Sequence, residues 1–231
     1  MPLLKNLDYE VAAAARDGLP HTISARTRRI YDVLSNIYPL STYFFHSHAH
    51  RTALEMSGIR DGMRVLEVAT GSGEMFRRLV RANPGGRTVG LDLSPRMAAR
   101  TQRMARRDFP KSRVDCQAVD ARHLPFRGET FDAVVCCYLL ELLAADDILR
   151  AVAEFNRVLR RHGTLTLVLI GQNAEAFNHI YRVAGSLAPA FWGRQVEERL
   201  GAMLESNDFR VTGERHVRQN GYPSRVLAAR K

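Results

Sequence analysis

Residues 65–76, Val65-Leu66-Glu67-Val68-Ala69-Thr70-Gly71-Ser72-Gly73-Glu74-Met75-Phe76, restrict the fold of this chain more than any other stretch. The run is apolar after the turn Asp61-Gly62, passes through Gly-x-Gly, and continues with Met75, Leu79 and Val80 at helical spacing. The pattern predicts a strand, a tight turn and a helix. Small residues there let main chain press against a ligand, and the amides opening the helix offer donors to an anionic group. A dinucleotide fingerprint counted from Gly71 needs a third glycine at position 76, where Phe76 stands.

Alternating strand and helix signals follow. Pro84-Gly85-Gly86 closes the first helix, and Thr88-Val89-Gly90-Leu91-Asp92 reads as a second strand. Asp92 lies about 20 residues past the glycines, where an open α/β sheet offers an acid to a ribose, and Leu93 adjoins it. Ser94 is the expected cap of the next helix, with Pro95 at its first position. Residues 113–118 are expected as strand three. The β-branched run Phe131-Asp132-Ala133-Val134-Val135-Cys136-Cys137-Tyr138 is expected as a buried parallel strand whose end, Cys137 and Tyr138, faces the ligand. The helix carrying Ile148, Val152, Phe155 and Leu159 is expected to end on a glycine cap at His162-Gly163. Residues 164–170, 209–211 and 225–229 read as strands five, six and seven.

Glu67-x-Ala69-x-Gly71-x-Gly73 resembles motif I, E/D-x-G-x-G-x-G, of the class I S-adenosylmethionine (SAM) dependent methyltransferases, with alanine for the first glycine. The turn accommodates that alanine if φ at Ala69 is negative. Asp120-Ala121-Arg122-His123-Leu124-Pro125-Phe126 is similar to the family's D-A-x-x-L-P-F, Phe131-Asp132-Ala133-Val134 to its F-D-x-V, and residues 154–163 to its E-x-x-R-V-L-K-P-G-G. Tyr31-Asp32 looks like part of the K-Y-D of its quinone-biosynthesis members, and an ordinary core tyrosine explains Tyr31 equally well. The resemblance implies a Rossmann-like α/β fold: a seven-stranded, mostly parallel sheet with an antiparallel last strand, helices on both faces and an N-terminal helical lid. It implies SAM as cofactor and S-adenosylhomocysteine as product. Glu67, Ala69, Thr70, Gly71 and Gly73 would serve the methionine portion together with Tyr31, Asp92 and Leu93 the ribose, Asp120 and Ala121 the adenine, and Cys137 the sulfonium end. Tyr138 and His46 are the candidate catalytic residues, with Glu141 and the other histidines as further base candidates.

Residues 1–60 are expected to form a helical arm and lid, and residues 61–231 the SAM-binding domain with a helical substrate insertion at 171–205. The aromatics Tyr181, Phe191 and Trp192 suit an apolar acceptor there, although a helix docked on the core explains them too. The expected acceptor is a quinone precursor or phospholipid headgroup. A soluble phenol and a SAM-binding adaptor without turnover are the alternatives. The formal charge of +10, with 34 Lys and Arg against 24 Asp and Glu, suits peripheral contact with an anionic membrane. RNA is disfavoured because no base-stacking motif accompanies the arginines. His46, His48 and His50 alternate, a spacing that scatters imidazoles around a helix, and Cys116, Cys136 and Cys137 fit no zinc spacing, so no metal site is expected. With no apolar run of about 20 residues and no leader-like start, a cytoplasmic location is expected. Sequence does not address the oligomeric state.

Overall fold

The computed structural model describes residues 38–171 and 197–231. Tyr31, the arm before residue 38 and most of the expected insertion lie outside the described residues. In chain order the elements are α1 (Tyr38–Ser57), β1 (Arg64–Val68), α2 (Glu74–Ala82), β2 (Arg87–Asp92), α3 (Pro95–Asp108), β3 (Arg113–Ala118), β4 (Phe131–Cys137), a 3-10 turn (Leu140–Leu142), α4 (Ala145–Val158), β5 (Leu159–Ile170), α5 (Glu197–Glu205), β6 (Arg210–Gln219) and β7 (Tyr222–Arg230).

The described strands make one seven-stranded sheet in the order β3-β2-β1-β4-β5-β7-β6. β1 to β5 pair in parallel, and β7 runs antiparallel to both β5 and β6. The expected Rossmann-like sheet with its reversed final strand is therefore present. Strand order reverses between β1 and β4, and the crevice outside the carboxyl ends at such a switch point is where open α/β sheets take ligands.

Apolar side chains on both sides of the central strands explain the layering. Leu66, Val134, Leu165 and Leu167 pack toward Val152, Phe155 and Leu200, so α4 and α5 cover one face. Val65, Ala133, Val135 and Val168 meet Ala49, Ala53, Met75 and Leu79 on the other, where α1 and α2 lie. α1 is thus a face layer, tied by Ser57 O accepting from Thr164 Oγ1 at 2.8 Å and by His48 N–H donating to Gln219 Oε1 at 2.7 Å.

Phe76, at the place of the absent third glycine, is fully buried. Its ring sits over Gly90 of β2, where a Cβ would come within 2.8 Å of Phe76 Cε2 and 2.7 Å of Thr70 Cγ2. Close helix–strand packing is achieved by putting the glycine in the strand instead of the helix.

Two expectations need correction. α4 ends at Val158, not at His162-Gly163, because Leu159 already pairs with Phe131, and the register resumes only at Ala133 with Thr164. Residues 160–163 bulge between those pairs, with His162 at φ +64°. Gly163 is there because a Cβ would fall 2.9 Å from Arg160 O. Likewise φ at Ala69 is +65°, not negative. Beyond the expected short strands, β6 and β7 extend to a two-residue turn, Asn220-Gly221, with φ of +49° and +80°. Those angles suit the primed hairpin turn that Asn-Gly favours.

Candidate active site

The glycine turn is built from its own backbone. Gly73 N–H donates to Thr70 O at 2.8 Å, Thr70 N–H to Leu91 O at 2.9 Å, and Gly73 caps α2 at φ +81° without a side-chain bond. Asp92, half-buried at the end of β2, accepts from Gly71 N–H at 2.8 Å and from Ser94 N–H at 2.9 Å. Ser94 in turn caps α3 through Met97 N–H, as expected. Val119 N–H donates to Asp92 O at 2.9 Å, which draws the end of β3 and Asp120 toward the same crevice. The ends of β1, β2 and β3 are thereby joined, and Leu93 and Ala121 stand half-buried beside them.

Asp120 carries a partner that sequence reasoning missed. Arg122 Nε and Nη2 reach its two oxygens at 2.9 and 2.6 Å, and Arg122 Nη1 continues to Asp147 at 3.1 Å. Burial pushes the Asp120 carboxyl up, but the bonds from Arg122 outweigh it and hold the group below its ordinary value. The following segment is clamped by the matched E-x-x-R: Glu154 accepts from Leu124 N–H at 2.6 Å, while Arg157 donates to Leu124 O at 2.9 Å and Phe126 O at 2.6 Å. Phe126 and Phe131 meet edge to face with centroids 4.9 Å apart. Three separate motif strings are therefore one clamp around the Asp120 loop.

Whether SAM fits these residues is tested by the polar atoms left over. Glu67 Oε2 and Thr70 Oγ1 are buried in the strand and turn below Gly71 with no hydrogen-bond partner. Burial, with the Asp92 charge adding to it, pushes the Glu67 carboxyl well above its ordinary value. Unspent acceptors and a hydroxyl beside a left-handed glycine turn match a ligand tail bearing an ammonium and a carboxylate. The residues fit the group.

At the carboxyl end of β4 a second constellation appears. Tyr138, at φ +54°, donates its N–H to Val168 O at 2.7 Å, and its hydroxyl shares a 2.7 Å hydrogen bond with Ser224 Oγ. Its ring lies 4.3 Å from His46, which is 4.9 Å from Tyr222. His46 and His50 sit one helical turn apart, with centroids separated by 6.2 Å. The alternating spacing scatters His48 away yet brings these two onto one face, a four-residue relation that counting by twos conceals. Burial lowers His46 to about 4 and His50 to about 3, so both are neutral at pH 7. Asn220-Gly221 was the available signal for Tyr222, because a two-residue hairpin turn places that tyrosine at the first position of β7.

Not every candidate joins these groups. Cys137 packs in the apolar layer under α1, and burial pushes its thiol well above the ordinary range. Glu141 is buried beyond β4, accepting from Ile170 N–H at 2.6 Å. Among the described residues no group of three or more His, Cys, Asp or Glu is arranged to hold a metal ion.

Residues 65–163 match the family model described as a methyltransferase domain. The chain is 31% identical over 153 residues to a demethylmenaquinone methyltransferase of Thermus thermophilus, covering 66% of this chain and 68% of that protein. It is 26% identical over 165 residues to a ubiquinone/menaquinone biosynthesis C-methyltransferase of Saccharophagus degradans, covering 71% of this chain and 63% of the relative's length. A solved SAM dependent methyltransferase from Aquifex aeolicus superposes with a TM-score of 0.64 at 18% identity, covering 88% of this chain and 97% of that one, a likeness of fold alone. Motif strings that the structure gathers around one crevice, and a relative at this identity and coverage, lead to the same assignment: the chain belongs to the class I SAM-dependent methyltransferases.

Proposed function

We propose that this chain moves a methyl group from SAM to a ring carbon of a lipid-like quinone precursor. The observation that carries the reading is the cluster of His46, Tyr138, Tyr222 and Ser224 at the end of β4, one strand from the glycine turn. Bound SAM supplies an activated methyl group on a sulfonium.

The protein's work is placement and proton handling. Gly71 and Gly73 would support the amino-acid tail. Asp92, which accepts from the Gly71 and Ser94 amides at the end of β2, would serve the ribose hydroxyls. Asp120, held in direction by Arg122, would serve the base. On the acceptor side, Tyr138 and Tyr222 present flat apolar rings with polar tips, which suits a hydroxylated ring. The neutral His46 imidazole accepts the ring hydroxyl proton, making the adjacent carbon electron-rich. That carbon takes the methyl group and then releases its hydrogen as a proton, which restores the hydroxylated ring. The names of the relatives from Thermus thermophilus and Saccharophagus degradans support a ring of this class.

The charge of +10 favours delivery from an anionic membrane surface. No helix among the described residues is long and apolar enough to cross a membrane.

The test is incubation with SAM and demethylmenaquinol in detergent, alongside soluble phenols, following S-adenosylhomocysteine and locating the new methyl by NMR. The expected product is C-methylated quinol, with kcat lowered about 100-fold or more in His46→Ala at unchanged SAM affinity. Methylation of phenol oxygens alone would sink the proposal, as would SAM binding without turnover of any acceptor.

A further inference from the structure

A groove lies between α2 and α3. The helices come together at Gly73, where a Cβ would lie 2.7 Å from Met104 Cε and 3.1 Å from Thr101 Oγ1. Beyond that contact is a cavity of about 590 Å³ whose wall includes Ser72 and Arg77 from one side and Arg100, Arg103 and Arg107 from the other. Positions 100, 103 and 107 share one face of α3, so three guanidinium groups of one helix meet a fourth from its neighbour.

Two carboxylates stand at the groove, and each already has a partner. Glu74, which also lines the cavity, is taken by Arg78, whose Nη2 lies 2.8 Å away. Asp108 stands at the far end, 2.8 Å from Arg77 Nη2 and 2.7 Å from Arg107 Nε. Arg103 has no ion pair among the described residues. Four cations in a concavity between low-dielectric walls focus a positive potential, and an arginine fork matches phosphate with two parallel hydrogen bonds. A volume within the roughly 300–1,000 Å³ of small-molecule sites fits a discrete ligand better than a duplex or a flat bilayer.

We propose that the groove between α2 and α3, which adjoins the glycine turn at Ser72 but is walled by arginines outside it, binds a small ligand bearing a pyrophosphate or a multiply charged phosphate ester. The phosphate belongs either to a free metabolite or to a lipid headgroup, and the groove recognises the chemistry the two share.

The test is calorimetric titration of the full chain with inorganic pyrophosphate, and with phosphatidylcholine vesicles containing phosphatidic acid. Saturable one-to-one binding of pyrophosphate is expected, weakened roughly tenfold or more in Arg103→Ser/Arg107→Ser. Arg96→Ser/Arg106→Ser removes the same charge from exposed positions outside the groove and should leave the affinity unchanged. Retained SAM affinity in each variant shows that the fold survives, and separates this result from any failure of the methyl-transfer reading. Vesicles that compete with pyrophosphate would identify a headgroup as the source, and vesicles that do not would identify a free metabolite. The proposal is overturned if pyrophosphate does not bind, if both double variants lose affinity equally, or if only vesicles bind.

Discussion

Gly90→Ala adds one methyl group where the turn, α2 and β2 are closest. The new Cβ would lie 2.7 Å from Thr70 Cγ2 and 2.8 Å from Phe76 Cε2, whereas ordinary contact begins near 3.4 Å, so these atoms must retreat by more than half an ångström. Neither has space to do so, since Phe76 is fully buried and Thr70 is 4% exposed. Overpacking of this kind costs about 1–3 kcal/mol. At about 2–4 °C per kcal/mol for a chain of this size, a cost of about 2 kcal/mol lowers Tm by about 4–8 °C. Because Thr70 and Phe76 flank Gly71 and Gly73, SAM affinity measured by calorimetry should fall as well. Phe76→Leu removes the ring edge, so the double variant should be more stable than the sum of the single effects by about 1 kcal/mol. Scanning calorimetry of the four proteins decides the matter. An unchanged Tm in Gly90→Ala, or strict additivity in the double variant, refutes the packing argument.

Ala69→Gly should raise Tm by about 2–4 °C, because a left-handed alanine costs about 1–2 kcal/mol and glycine's extra unfolded freedom returns only part of that. A lower Tm would contradict the positive φ. Arg157→Ala strips charged donors from two loop carbonyls and should cost about 2–3 kcal/mol in urea unfolding; a loss below about 0.5 kcal/mol, as at an ordinary surface site, would refute the clamp. His46 and His50 have folded values below the 6.5 of an exposed imidazole, so the unfolded chain binds more protons as the pH drops. Their contribution is therefore complete above pH 6.5 and lost toward pH 4, each adding a slope of up to about 1.4 kcal/mol per pH unit. Unfolding free energies measured across that range should show a shallower slope in His50→Phe; an identical slope would mean that His50 does not titrate in this way.

Sheet order and turn were legible because they are written locally: an apolar run, two glycines, and an acid at the next strand end leave few alternatives. Ser94 caps α3 with Pro95 in its first turn, as their types predict. The end of α4 was not legible, since Arg160, Arg161 and His162 are as compatible with a helix as with a bulge, and only the pairing of Leu159 with Phe131 decides it. Positive φ at Ala69 was hidden for a similar reason, because the hydrogen bonds holding the turn include one from Thr70 to Leu91 on another strand. Ser224 escaped notice as a site residue because a pairwise contact 86 residues apart, that of Tyr138 with Ser224, leaves no periodic trace.

A reversed β7 also divides labour across the sheet. Its tip, Asn220-Gly221, projects past the same rim as the ends of β1 and β2, so one side of the crevice is framed by helix crossovers and the other by a two-residue hairpin. Crossovers are constrained by the packing of α2 and α3, whereas a hairpin tip tolerates lengthening without disturbing the register of Ser224 with Ile170. Under the function proposed above, changes at residues 219–222 should therefore retune acceptor preference and leave SAM affinity as it is.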